Sequence, residues 1–175
     1  MKRSTRFGIG VSLTLLVAGC AGERAAPPPR PVTVLPSAAA ALTPAIYMEL
    51  ASSSALFAIR ASELARTQAS SSSVRNAAAT VAADQGGVAS QLSYAGRRLD
   101  LLPRSALPPE LQADLERLQS SGNFDADYRA LVGRQLARAL EAHQVFAARG
   151  SSATLKPVAG MAAPVTRRDL DAVRR

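Results

Sequence analysis

The chain has 175 residues, with 21 lysines and arginines against 13 acidic residues, one histidine, one cysteine and no tryptophan. The formal net charge is +8, but aromatic side chains do not alternate with the basic ones as they do in proteins that bind nucleic acid, so no nucleic-acid partner is expected. A single cysteine excludes an intrachain disulfide. With seven aromatic residues in all, any core has to be built mainly from Leu, Val and Ala.

The first 20 residues are organised as an export signal. Three cations precede a short apolar run that ends in small residues, and this run is shorter than the ~20 residues of a membrane-spanning helix. Val17-Ala18-Gly19-Cys20 resembles the lipobox of bacterial lipoproteins. The resemblance implies that residues 1–19 are a signal peptide and that Cys20 becomes the N-terminus, carrying fatty acyl chains such as palmitate. Several such chains anchor a protein stably to a membrane.

The location follows from this signal. By resemblance to lipoprotein sorting rules, Ala21 in place of an Asp favours the outer membrane, with the protein facing the periplasm. The alternative is a conventional signal followed by a buried cysteine, which leaves a lone thiol in an exported protein unexplained. Beyond Cys20, the stretch up to residue 42 is rich in Pro and Ala and has no helical or strand periodicity. Residues 20–42 are therefore predicted to be a lipidated cysteine and a flexible tether that spans up to ~60 Å.

Two long helices are predicted next. Thr43 and Pro44 are typical of an N-cap and a first helical position, and apolar residues then recur at spacings of three and four. The serine run at 70–73 ends this helix and caps the second one. The apolar stripe of the second helix includes Asp84, so this carboxylate is predicted to point inward. The Gly-Gly pair at 86–87 is interpreted as a packing or kink position.

The second half of the chain contains one short and two long helices. Prolines in a loop at 100–109 precede a short helix that starts at Pro109. The next long helix carries His143 on its apolar stripe. The last helix, which Ser151 or Ser152 is expected to cap, has Asp169 on its inner face. Four long helices and one short helix without any strand pattern predict an all-α fold, a helical bundle in a single domain over residues 43–175.

Several blocks in both halves of the chain resemble a known family. The Ser62-Glu63-Leu64-Ala65 block, the run from Val81 to Asp84 and the segment from Gly122 to Tyr128 are similar to the bacterial family named domain of unknown function 4142. The resemblance extends roughly from Tyr47 to Val173. It implies an envelope protein with a ferritin-like, up-and-down helical bundle.

The resemblance also implies where a metal site would lie. Members of the family usually carry a Glu in the first helix and His residues in later helices, a set suited to a metal at the bundle centre. These positions fall on Ala58, Gln85, Leu136 and, nearly, Asp169, so the expected ligands are missing. We therefore predict no resident metal and no cofactor.

The remaining metal candidates are weak. Asp84 and Asp169 could hold a hard cation loosely, but a hydrogen-bonded or arginine-paired contact is the preferred interpretation for interior carboxylates. His143 is interpreted as a boundary or core residue with one hydrogen-bonded nitrogen, in preference to a ligand or acid-base role. No Gly-x-Ser-x-Gly elbow or other nucleophile signature occurs. No catalytic residue is predicted, and the protein is not expected to be an enzyme.

The C-terminus is basic. Arg167, Arg168, Arg174 and Arg175 form either a solvated helix end or a contact for anionic lipid or cell-wall polymer. The sequence thus predicts a lipid-anchored envelope protein, a non-enzymatic binding or structural module whose partner is an unidentified envelope protein or such an anionic surface. The alternative is a ferritin-like metal-binding or redox protein that acts in envelope stress.

Overall fold

A computed structural model describes residues 42–175. The predictions for the signal peptide at 1–19, the lipidation of Cys20 and the tether up to residue 41 lie outside the described residues. The described part contains five α-helices and no β-strand, which confirms the predicted all-α bundle of four long helices and one short helix. The helices are α1 (Pro44–Gln68), α2 (Ser72–Arg97), α3 (Pro109–Gln119), α4 (Phe124–Arg149) and α5 (Leu155–Arg174).

The four long helices surround a common core. Each packs against two others, so that the order around the bundle is α1, α2, α5, α4, and the short α3 lies against α1 and α4. Helix α1 runs antiparallel to α4, because Tyr47 near its start contacts His143 while Ser62 near its end contacts Tyr128. Helices α2 and α4 therefore run in the same direction on a diagonal. The connection between them, residues 98–123, is a single long crossover, as in ferritin-like folds.

The bundle has a proximal and a distal end. At the proximal end, α1 and α5 begin and α2 and α4 end; at the distal end, α1 and α5 end and α2 and α4 begin. Among residues 42–175, no helix is both long enough and apolar enough to cross a membrane.

The helix boundaries follow local chemistry. Thr43 caps α1 by accepting a hydrogen bond of 3.2 Å from the Ile46 N–H, and Pro44 takes the first helical position, as predicted. Ser71 caps α2, which confirms the serine run as the boundary of the first two helices. Helix α5 begins at Leu155. Thr154, which precedes it, makes no side-chain capping bond. Ser152 does, because its Oγ accepts from the Leu155 N–H at 3.2 Å and its carbonyl oxygen accepts from the Lys156 N–H at 3.0 Å. The prediction of a serine cap at 151 or 152 is therefore confirmed at Ser152.

Two apolar clusters fill the interior. The distal cluster contains Phe57, Leu118 and Leu136, and the proximal cluster contains Leu92 and Phe146. These side chains are fully buried, and each contributes about 1.5–3 kcal/mol through the apolar surface it removes from water. Alanines occupy much of the remaining interface and allow the helices to approach closely.

The glycines of α2 differ in their roles. Helix α2 continues through residues 86–87, and a Cβ at either glycine would meet no atom within 4 Å. The interpretation of this pair as a packing position was therefore wrong. Close packing instead occurs at Gly96, where a Cβ would collide with the carbonyl oxygen of Leu101.

Candidate functional site

A buried polar layer separates the two apolar clusters. Along α2, Gln85 lies between Val81 of the distal cluster and Val88 of the proximal cluster. The Gln85 Nε2 donates a hydrogen bond of 2.7 Å to the Asp169 Oδ2 of α5. Both side chains are almost fully buried, at 1% and 0% exposure. Because a buried carboxylate is costly without a donor, this bond accounts for the inward position of Asp169, which the sequence predicted.

One oxygen of this carboxyl group has no partner. Among residues 42–175, no group hydrogen-bonds the Asp169 Oδ1, while Thr166, one turn earlier on α5, approaches the Gln85 Nε2 at 3.4 Å. Burial is the main reason why the pKa of Asp169 is raised to about 7, and the nearby Asp84 carboxylate raises this pKa further. The Gln85 amide and Arg168 act in the opposite direction. The environment of Asp169 therefore favours its protonated form more than that of an exposed carboxyl group does.

Asp84 lies at the edge of the bundle, not inside it. Its side chain is 32% exposed and pairs with Arg168 at 3.6 Å. The prediction that Asp84 points inward was wrong by one helical position, because the buried face of α2 continues through Gln85. Apolar spacing alone could not show whether Asp84 or Gln85 faces the core, because both residues are polar. Gln85 is held inside by its hydrogen bond to Asp169.

A second buried pair lies within the distal cluster. The hydroxyl oxygens of Ser62 on α1 and Tyr128 on α4 are 2.9 Å apart. Burial raises the pKa of Tyr128 to about 12, and the charge of Asp169 contributes to the same shift. The sequence analysis did not identify this pair as a site. Its only signal was that both residues belong to the blocks on which the family resemblance depends.

His143 lies in the proximal cluster, apart from the layer that contains Asp169. Its Nδ1 and the Tyr47 hydroxyl oxygen are 2.9 Å apart, and the two rings meet edge to face. Burial lowers the pKa of His143 to about 4, so the imidazole is neutral at physiological pH. As predicted, it is a core histidine with one hydrogen-bonded nitrogen; its Nε2 has no partner among the described residues.

An open groove runs between α2 and α5. It has a volume of about 520 Å³ and is mainly apolar, with Asp84 in its wall. The other side chains that line it are Ala83, Gly87, Val88, Gln91, Pro157, Val158, Met161 and Val165. The groove brings one partly exposed carboxylate beside apolar surface, but it contains no nucleophile and no imidazole.

The family model described as "Domain of unknown function (DUF4142)" matches residues 31–175. The chain belongs to the DUF4142 family. No curated protein and no solved structure gives a significant match. The family match confirms the resemblance found in the sequence and covers every helix of the bundle.

The metal-binding positions implied for DUF4142 are all buried in this chain, at Ala58, Gln85, Leu136 and Asp169. Alanine and leucine provide no ligand atom, and Gln85 directs its N–H donor toward the carboxylate. Among residues 42–175, no three or more His, Cys, Asp or Glu side chains are grouped closely enough to hold an ion. These residues therefore do not fit a metal centre built from glutamate and histidine.

The four C-terminal arginines do not form one free patch. Arg168 pairs with Asp84 on the side of the bundle, and Arg167 is exposed on the preceding helical position. Arg174 and Arg175 are exposed at the distal end, where α5 stops. Of the four C-terminal arginines, only Arg174 and Arg175 are placed to contact a surface that approaches the distal end.

Proposed function

We propose that this DUF4142 protein is a lipid-anchored, non-enzymatic binding or structural module of the bacterial cell envelope. The hydrogen bond between Gln85 and Asp169 is the observation that carries the non-enzymatic part of the proposal. At the position where the family resemblance places a metal ligand, the glutamine instead donates to one oxygen of Asp169, a buried carboxylate. The bundle interior is thereby a structural layer, and the protein acts through its outer surface.

The anchoring part of the proposal depends on the sequence before the bundle. Cys20 ends a lipobox-like run, and 22 residues separate it from Thr43, the N-cap of α1. An acylated Cys20 would hold the protein in the outer membrane, on the periplasmic side, with the bundle free to reach partners within ~60 Å of that membrane.

The partner would be an envelope protein or an anionic surface such as a cell-wall polymer. Arg174 and Arg175 at the distal end support the second possibility, since both are exposed and exposed arginines attract polyanions. We expect sedimentation with purified cell-wall polymer to fall when both are changed to Gln. The matched control is Arg117→Gln, because Arg117 already pairs with Asp114 at 3.1 Å. Equal sedimentation of both variants would show that Arg174 and Arg175 do not contact the polymer.

The anchoring is tested by acylation and fractionation. Cells that express the full chain are supplied with labelled palmitate and then fractionated, in parallel with Cys20→Ser and Ala21→Asp variants. The wild-type protein should incorporate the label and appear in the outer membrane. Cys20→Ser should lose the label, and Ala21→Asp should keep it but move to the inner membrane. An unlabelled wild-type protein would disprove the anchoring.

A metal-binding or redox function is the second candidate. It is favoured by the unpartnered Asp169 Oδ1 and by the neighbouring carboxylate of Asp84. Two carboxylates without imidazole bind a divalent ion weakly. Under our proposal, calorimetric titration with Mn²⁺ should give the same result for the wild-type protein and for an Asp84→Asn variant. Binding of Mn²⁺ by the wild-type protein that disappears in Asp84→Asn would favour the metal-binding function.

A further inference from the structure

The most exposed large apolar side chains gather toward one end of the bundle. Among residues 42–175 they are Ile46, Tyr94, Leu102 and Met161, with exposures of 54%, 59%, 66% and 40%. Ile46 is in the first turn of α1 and Tyr94 in the last turn of α2. Leu102 follows α2 in the crossover and lies beside the first turns of α1, and Met161 is in the second turn of α5. All four belong to the proximal half of the molecule.

The charges of this end have a single predominant sign. Within about two turns of the proximal helix ends, including the first part of the crossover, five cations stand against two carboxylates, Glu49 and Asp100. The cations are Arg97, Arg98, Arg104, Arg149 and Lys156. One of the carboxylates, Glu49, is already paired with Arg104 at 3.2 Å. The distal end also has an excess of cations. Within about two turns of its helix ends, and apart from the buried Asp169, the carboxylates are Glu63, Asp125, Asp127 and Asp171, and the cations are Arg66, Arg75, Arg129, Arg168, Arg174 and Arg175. The charge balance therefore suits an anionic surface at either end, and the exposed apolar side chains distinguish the proximal one.

Tyrosine and arginine are adjacent on this surface. The Arg97 guanidinium lies over the Tyr94 ring, 5.9 Å from its centre. Aromatic rings with a polar tip and long cationic side chains are the groups that favour the boundary between lipid headgroups and acyl chains. Exposed apolar side chains next to an excess of cations match an anionic membrane surface better than an aqueous one.

The chain also enters the bundle at this end. Residue 42 leads directly into α1 at the proximal end, so the segment that connects Cys20 to the bundle emerges beside Ile46. If Cys20 is held in a membrane, a connection of 22 residues keeps the proximal surface at an effective concentration of the order of millimolar near the same leaflet. A weak contact by a few side chains is then sufficient to hold the bundle against the lipid.

We propose that the proximal end of the bundle docks on the anionic leaflet that holds the lipid anchor, with Ile46, Tyr94 and Leu102 inserted at headgroup level. This inference depends on the acylation of Cys20 proposed above. It gives the protein a fixed orientation, in which the distal end with Arg174 and Arg175 faces away from the membrane. The bundle then presents its distal end and sides to partners in the periplasm.

The absence of tryptophan from the chain allows a direct test. Tyr94→Trp places a reporter at the proximal end, and Gln68→Trp places a matched reporter at an exposed position of the distal end. The full, acylated chain is reconstituted in vesicles of phosphatidylethanolamine and phosphatidylglycerol with brominated acyl chains, which quench tryptophan on contact. We expect fluorescence loss and a blue shift for Tyr94→Trp and neither change for Gln68→Trp. Adding Leu102→Asp to Tyr94→Trp should reduce the quenching.

Three results would overturn the proposal. The first is equal quenching of both reporters, and the second is no quenching of either in protein that mass spectrometry shows to be acylated. The third is a dimer of the Cys20→Ser chain, detected by sedimentation velocity and abolished by Leu102→Asp, because the proximal surface would then bind a second copy. If mass spectrometry instead finds no acyl chain on Cys20, the proposed anchoring itself fails, and this outcome is distinct from the first two.

Discussion

The two buried ionisable groups should make the folding stability depend on pH in opposite directions. The pKa of Asp169 rises from 3.8 to about 7 on folding. The folded state therefore keeps this proton longer than the unfolded state, and stability is lost as the pH rises from about 4 toward 7. The pKa of His143 falls from 6.5 to about 4. The unfolded state binds this proton first, so stability is lost as the pH falls from 6.5 toward 4.

The two effects are of similar size. Each pKa unit corresponds to about 1.4 kcal/mol, so the full shifts are of the order of 4 kcal/mol for Asp169 and 3 kcal/mol for His143. Between pH 4.5 and 6.5 the two slopes have opposite signs and nearly cancel. In this window we expect Asp169→Asn to lose about 2–3 kcal/mol of stability on acidification, because only the histidine effect is left. His143→Gln should lose a similar amount as the pH rises.

The assay is urea unfolding followed by circular dichroism at several pH values, with the free energy obtained by linear extrapolation. The full chain carries Cys20→Ser in every sample so that no detergent is needed. Asp171→Asn is the control, since it removes an exposed carboxyl group from the same helix and should leave the slope of the parent unchanged. The reasoning is refuted if the Asp169→Asn and His143→Gln profiles run parallel to the parent profile.

Three further predictions concern packing and buried hydrogen bonds. Ser62→Ala should cost about 1–3 kcal/mol by leaving the Tyr128 hydroxyl without its partner, and the double variant with Tyr128→Phe should cost less than the sum of the single changes in a thermodynamic cycle. Gly86→Ala should raise the stability by about 0.5–1 kcal/mol because its Cβ enters open space in a helix interior, whereas Gly96→Ala should lower it through a backbone clash; thermal melts showing the same sign for both would contradict this. Leu92→Ala should cost about 2–5 kcal/mol by opening a cavity in the proximal cluster, as measured by urea unfolding.

Most of the fold could be predicted from local signals. Helix starts are marked by two kinds of residue. Thr43 and Ser71 accept a hydrogen bond from the first turn of α1 and α2, and Pro44 and Pro109 lack the N–H that has no partner in the first turn of a helix. The number of helices was predictable because apolar residues recur with the 3.6-residue period of an α-helix, and this recurrence is visible in the sequence alone. Ser152 likewise marks the start of the last helix, because its side chain accepts from the Leu155 N–H.

The candidate site was less predictable because its contacts join residues far apart in the chain. Asp169 could be placed inside from its position on an apolar stripe, but its partner Gln85 is 84 residues away. Asp84 and Gln85 are adjacent and both polar, so the apolar spacing does not show which of them faces the core. The sequence analysis assigned the inward position to Asp84, whereas Gln85 occupies it. The pair formed by Ser62 and Tyr128 is similarly distant in sequence, and no local pattern identifies it.

The metal content of the purified protein tests the central claim most directly. The full chain is incubated with iron, manganese and zinc, passed through a desalting column and analysed by mass spectrometry of the elements. Because Ala58, Gln85 and Leu136 offer no ligand set and the Gln85 amide already bonds one oxygen of Asp169, we expect far less than one metal ion per chain. A stoichiometric ion that is lost in Asp169→Asn would contradict a structural interior and favour a metalloprotein.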